Sequence, residues 1–241
     1  MNVGFLSLET NNSKLFNRIL ASTAGISGDR IKRRKLSPED WKRVEERSDD
    51  VRHRNLHLVR ASSMTVEDIM SYALFKCFNV IYIDYLTLIK APGKTEFDQA
   101  TYISKALHQM AQDTGITVVA LSQLSRPESG KQKPPTLSSL RSSGQIEQDA
   151  DIVMFIYREE PGKLRSRRIL SVAKNKEGVT GTIPLVFNGE TQTFKIDPYT
   201  AIKRAARPEP EYKQVTFQEL PVRTPVPWED EYEHLGDEPK K

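Results

Sequence analysis

The sequence predicts an α/β domain built on a mainly parallel sheet with helices on its faces. Three observations predict it. Short apolar runs, "NVGFLSL", "VIYIDYL" and "TVVALSQL", have the length and composition of buried strands. Amphipathic helical stretches separate them, and that alternation is the pattern of parallel strands joined by crossover helices. Each run also finishes on a polar residue, Glu9, Asp84 or Gln123, and ligands sit at the C-terminal edge of open α/β sheets.

The first strand begins almost at Met1. The helix "SKLFNRILASTAG" follows, with Leu15, Phe16, Ile19 and Leu20 on one face and Gly25 as its stop. "SPEDW" starts another helix, with Ser37 as N-cap, Pro38 in the first turn and Asp40 closing a capping box. "TVEDIMSYALFKC" repeats that logic with Thr65 and Asp68, and places Cys77 as a buried helix residue near Phe75 and Phe78. After the Asp84 strand, "EFDQATYISKALHQMAQDTG" sets Phe97, Ala100, Ile103, Leu107, Met110 and Ala111 at helical spacing, with Gly115 beyond the end. "ADIVMFIYR" is a further strand. Past Arg165 the rhythm changes to short strands, "RRILSVAKN", "GTIPLVF" and "TQTFKID", with Asn188-Gly189 as a hairpin signal. Half of the fourteen prolines lie from Pro198 onward. Residues 1–202 therefore read as the domain and 203–241 as a flexible tail.

No apolar run approaches the roughly 20 residues that span a bilayer, so no membrane role is expected. The N-terminus has neither a basic leader nor a cleavage site. One cysteine among 241 residues forms no internal disulfide, which fits a reducing, intracellular setting. Net charge is only +4, but "DRIKRRKLSPEDWKRVEERSDDVRHRNLHLVR" is dense in Lys and Arg while the last fifteen residues lean acidic. A basic face of that kind can track a polyanion.

An acid at a strand tip, such as Asp84, commonly orients Mg²⁺ and its waters beside nucleotide phosphates. Glu9, similarly placed, can polarise an attacking water as general base. The Gln123 amide can contact a γ-phosphate. In "KNKEGVTG", Lys174 and Lys176 are two apart and point the same way on a strand, so both can reach a neighbouring subunit's phosphates. "TLSSLRSSGQIEQDAD" joins Arg141 to a Ser-Ser-Gly turn suited to nucleic-acid phosphates. Taken singly, each has an ordinary structural reading as well: a turn aspartate, a first-turn glutamate, an exposed basic turn, a helix–loop junction. "APGKT" is not a phosphate loop. The motif G-x-x-x-x-G-K-[ST] would need glycine where Leu88 stands, and no other G-K-[ST] occurs.

"FLSLE", "VIYIDYLTLI", "VVALSQLSR", "LRSSGQIEQDADIVMFIYR" and "AKNKEGVTGTIPLVF" stand in the order of motifs in the DnaB-type replicative DNA helicases, and residues 3–197 resemble their C-terminal RecA-like domain. The resemblance implies a RecA-like sheet ending in an antiparallel hairpin, in a hexameric ring that uses ATP or another NTP with Mg²⁺ to move along single-stranded DNA. It implies a cytoplasmic bacterial or phage replisome, with primase or a helicase loader as further partners. It matches Glu9 to the catalytic glutamate, Asp84 to the Mg²⁺-orienting aspartate and Gln123 to the γ-phosphate-sensing glutamine. Arg141 and Gly144 match the DNA-contacting loop, where Ser142 fills a position often held by glutamate. Lys174 and Lys176 match the basic pair that reaches the next subunit's nucleotide.

Two departures stand out. The family's K-x-R-x-G is K-x-K-x-G here, which keeps the charge and loses the forked donor set of arginine. The family's phosphate-loop strand and helix precede "FLSLE", and the expectation is a chain that starts one element downstream of them. That strand would lie beside the one ending at Gln123, so its neighbours would expose unpaired backbone. The function expected is the C-terminal part of a replicative helicase, completed by an N-terminal fragment that bears the phosphate loop. The alternative is a non-catalytic module that binds DNA or a helicase. A RecA-like recombinase would share the Asp84 strand but fits "SGQIEQDADIVMF" less well.

Overall fold

The computed structural model describes residues 1–124, 134–140, 144–160, 162–163 and 166–198, with backbone alone at 48–52. Arg141 and Ser142, and the expected tail from 203, lie outside the described residues.

Four strands form the parallel sheet: β1 (Val3–Ser7), β2 (Leu56–Arg60), β3 (Val80–Asp84) and β4 (Thr117–Ala120), in the order β2-β1-β3-β4. The two inner strands carry the most deeply buried residues, among them Leu6, Ile81 and Ile83. Gly4 is required by packing: a Cβ there would lie 2.6 Å from the Phe78 ring. Strand β2 has no counterpart in the expectations above. Its apolar residues alternate with His57 and Arg60 inside the basic stretch, and they resemble a solvated face until β1 pairs with them.

Three helices link β1 to β2: α1 (Asn12–Ala24), α2 (Gly28–Lys32) and α3 (Pro38–Arg52). Gly25 ends α1 in the left-handed conformation, as its position suggests. Phe16, expected on the inner face, is exposed, and Ala21 and Ala24 are buried instead. The Ser37–Asp40 capping box forms, with Ser37 N donating to Asp40 Oδ2 (3.0 Å) and Asp40 N to Ser37 Oγ (3.2 Å). Asp40 is fully buried, and Arg30 and Arg43 both pair with it.

Helix α4 (Val66–Phe75) starts on the reciprocal Thr65–Asp68 box. Cys77 corrects the expectation of a buried helix residue: it is exposed and left-handed, at φ 52°. The helix ends at Phe75, which is itself 76% exposed, and the turn through Cys77 drives Phe78 into the core in its place. Helix α5 (Glu96–Thr114) buries Ala100, Ile103, Leu107 and Met110 against the sheet but leaves Phe97 exposed, because its first turn overhangs the core. Gly93-Lys94-Thr95 is the lead-in to this helix. Thr95 is its N-cap, exchanging bonds with Asp98, and a Cβ at Gly93 would lie 2.9 Å from Asp98 Cβ.

The second sheet is antiparallel: β5 (Ile152–Arg158), β6 (Arg168–Asn175), β7 (Gly181–Asn188) and β8 (Thr193–Ile196), in chain order. β5 follows the helix α6 (Gly144–Asp149), yet it pairs with β6 and not with the parallel strands. The β7–β8 connection is a four-residue loop in which Asn188 Oδ1 accepts from Glu190 N (2.9 Å), a longer turn than Asn-Gly alone suggests. Among the described residues, the outer edges of β4 and β5 carry no pairing strand.

Candidate functional site

Ser7 and Asp84 are partners in the β1–β3 register, and Leu8 N donates to Asp84 O (2.9 Å). Beyond Ser7 the chain turns at once. Ser7 Oγ donates to Thr10 O (2.7 Å) and accepts from Thr10 N (3.0 Å), so Glu9 projects from a tight bend before the Asn11 cap of α1. On the other side of β3, Leu121 N donates to Ile83 O and Leu86 N to Leu121 O, which extends the pairing past β4 toward Gln123. Three adjacent strands thus bring Glu9, Asp84 and Gln123 to one edge of the sheet. Glu9 and Gln123 are exposed and Asp84 is half-buried. None of the three side chains is hydrogen-bonded or ion-paired among the described residues, so two carboxylates and an amide keep their hydrogen-bonding capacity open.

The peptide between Asp84 and Tyr85 is cis, and a single 3-10 turn, Leu86–Leu88, follows. Tyr85, Thr87, Glu96, Gln99 and Gln123 line a cleft of about 250 Å³ beside this turn. Glu96 and Gln99 had no part in the sequence expectations. They are first-turn residues of α5, and only the packing of that helix under β3 and β4 brings them beside Gln123.

Lys174 and Lys176 both reach the segment that links α6 to β5. Lys174 Nζ donates to the carbonyl oxygens of Glu147 and Gln148 (3.1 Å to the latter), satisfying the end of α6 where cations are favoured. Lys176 pairs with the Asp151 carboxylate, and its backbone N–H donates to Asp151 O (3.0 Å). The Lys176 ammonium bonded to Asp151 holds that carboxyl below the usual carboxylate range. Among the described residues, no hydrogen bond or ion pair joins the lysines to Glu9, Asp84 or Gln123. Helix α6 is fixed by buried Ile146 and by Ser104 Oγ donating to Asp149 Oδ2 (2.7 Å); Gly144 is its exposed first residue. Among the described residues no three His, Cys, Asp or Glu side chains cluster as a metal cage. A divalent ion at this edge would be held by Asp84 through water, the sparse coordination that suits Mg²⁺ and not a dedicated all-protein site.

Polar tips on three adjacent parallel strands, followed by an antiparallel sheet with a basic turn, extend over the same residues that a known family occupies. The family model described as the DnaB-like helicase C-terminal domain matches residues 1–196. The chain belongs to this family. A probable plasmid replicative DNA helicase of Chlamydia trachomatis is 38% identical over 208 residues, covering 84% of this chain and 44% of that protein. The replicative DNA helicase DnaB of Treponema pallidum is 33% identical over 196 residues, with 79% and 44% covered. Among solved structures, a DnaB-like replicative helicase described with its interactions with primase aligns at TM-score 0.74 and 31% identity, over 80% of this chain and 50% of that one. A second solved structure, described as an ATPase domain, aligns at the same TM-score and identity, over 80% of this chain and 73% of its own. The chain therefore spans less than half the length of the helicases it matches in sequence. The RecA-like fold class expected from the motifs holds: a parallel sheet flanked by helices, followed by an antiparallel sheet. No described helix is long and apolar enough to cross a membrane.

Proposed function

We propose that this chain contributes the hydrolysis side of the NTPase centre of a replicative DNA helicase. The observation that carries the reading is the convergence of Glu9, Asp84 and Gln123, all unpartnered, at the tips of three neighbouring strands. In this reading Glu9 takes a proton from the attacking water, and Asp84 orients the waters of Mg²⁺. Gln123 contacts the γ-phosphate. Bound Mg²⁺ supplies charge neutralisation on the phosphates. Arg141, Ser142 and Gly144 hold the backbone of single-stranded DNA, and Lys174 and Lys176 reach the nucleotide of the next subunit in a hexameric ring. Residues 1–202 act as one domain, in the bacterial or phage cytoplasm, with primase or a loader as further partners.

The phosphate cradle belongs to a segment outside this sequence, either preceding it in a longer chain or carried by a separate polypeptide. Two features support that. Among the described residues the outer edge of β4 is unpaired, and β5 presents Ile152, Met154 and Ile156 on one face, each more than half exposed. A strand and helix added there would satisfy both the backbone and the apolar stripe.

A second reading is a non-catalytic module that binds DNA or a helicase. It is favoured by one observation: Lys174 and Lys176 already have partners within their own chain. The test is to combine the chain with a polypeptide bearing a strand and G-x-x-x-x-G-K-[ST], and to measure NTP hydrolysis with and without single-stranded DNA. DNA-stimulated turnover that Glu9→Gln abolishes supports the helicase reading. No turnover, with DNA binding intact, supports the module.

A further inference from the structure

The basic run that opens the α2–α3 region takes no part in the proposed NTPase centre. Between Arg30 and Lys35, five of six residues are cations, and all five are exposed. The sixth, Ile31, is buried with Ala21, Ala24 and Ile26 in a small satellite core, so the run is anchored and not a loose loop. Arg30 and Arg43 share Asp40, whose carboxylate is fully buried and offers no negative surface of its own. Arg33 pairs with Asp29. Lys32, Arg34, Lys35 and neighbouring Lys42 make no ion pair among the described residues. Arg34 holds a left-handed backbone at φ 57°, where glycine or asparagine is the ordinary choice, yet the position carries a long cation. Trp41, next to Asp40 in the first turn of α3, is 55% exposed.

The Arg30–Asp40 pair ties the cationic run to the turn that carries Trp41, and cations with an exposed indole make the combination that single-stranded nucleic acid requires: charge for the phosphates and a flat apolar face for a base. Protein partners of acidic chemistry would use the cations but leave the indole without a role. Exposed acids in the region, Asp29, Glu39, Glu45 and Glu46, are outnumbered by the exposed cations, and Asp29 is already paired. We infer that Lys32, Arg34, Lys35 and Trp41 form a binding surface for single-stranded nucleic acid, separate from the Arg141 loop and independent of NTP hydrolysis.

The test uses the full chain carrying Arg141→Ala, which removes the other proposed phosphate contact, and a fluorescein-labelled oligothymidylate read by anisotropy across a salt series. Adding Lys32→Gln, Arg34→Gln and Lys35→Gln lowers affinity and flattens the slope of log affinity against log salt by about 2, as three lost phosphate contacts require for a single strand. These side chains make no hydrogen bond or ion pair among the described residues, and circular dichroism confirms that the variant is folded. In a Trp228→Phe background Trp41 is the sole indole, and its fluorescence is quenched as the oligonucleotide binds. Unchanged affinity and slope in the triple variant overturn the surface. Tighter binding of a duplex of equal length, with no quenching, overturns the assignment to a single strand. Failure of the helicase reading would appear elsewhere, as missing NTP turnover, and would leave these measurements unaffected.

Discussion

Lys176 forms an ion pair with Asp151, twenty-five residues away at the start of β5, while Lys174 caps the helix just before it. The Lys176–Asp151 pair is largely exposed, so its net worth to folding is small, about 0–1 kcal/mol. Asp151→Asn is therefore expected to leave the thermal midpoint nearly unchanged. Under the proposed reading, Lys176→Ala in the assembled helicase is expected to lower kcat by roughly tenfold to a thousandfold, less than an arginine finger contributes. A large fall in stability with unchanged turnover would assign Lys176 a structural role.

Under the proposed NTPase reading, Glu9 and Asp84 separate by the step each would serve. Glu9→Gln is expected to reduce turnover by roughly 10²–10⁴-fold with nucleotide binding retained, since a general base acts on the reacting water alone. Asp84→Asn should instead raise the Mg²⁺ concentration needed for half-maximal rate. Metal titrations of both variants distinguish them, and equal Mg²⁺ dependence would remove Asp84 from the metal's shell.

Lys94 tests the phosphate-loop look-alike. Thr95 is an N-cap, so Thr95→Ala should cost about 1 kcal/mol of stability. Lys94→Ala should leave NTP turnover in the assembled helicase as it was, and a large loss of turnover there would contradict the assignment.

Asp40 sets an acid limit on the α2–α3 region. Its carboxyl is held below its ordinary value first by the Ser37 backbone N–H, and further by Arg30 and Arg43. A depressed folded pKa contributes stability that is fully present above the unfolded value, about 3.9. That stability is lost as pH falls through the folded value. Unfolding monitored by Trp41 fluorescence in the Trp228→Phe chain should show loss of stability below about pH 4, and Asp40→Asn should weaken that dependence while lowering stability at neutral pH.

Gly4→Ala drives a methyl into the Phe78 ring, and overpacking of this kind costs about 1–3 kcal/mol. Combining it with Phe78→Leu should recover part of the loss in denaturant titrations. Equal stability of Gly4→Ala and the parent chain would mean that the ring moves aside freely.

What the amino-acid order determined by itself is everything local. Capping boxes at Ser37–Asp40 and Thr65–Asp68, the glycine stops after α1 and α5, and the polar ends of β1, β3 and the β4 run depend on residues a few positions apart, and all were legible before any fold was known. So was the family, because its motifs are short and ordered. The tertiary structure decided whatever depends on a distant partner. β2 became a strand only because β1 lay beside it, and β5 joined the antiparallel sheet because β6 returned along it. Phe16, Phe97 and Cys77 came out exposed because helix period alone does not say where the core ends. Lys174 and Lys176 acquired partners that no spacing predicts, since the end of α6 and Asp151 reach them only through folding. Hydrophobic periodicity specifies which face of an element is apolar; long-range pairing specifies what covers it.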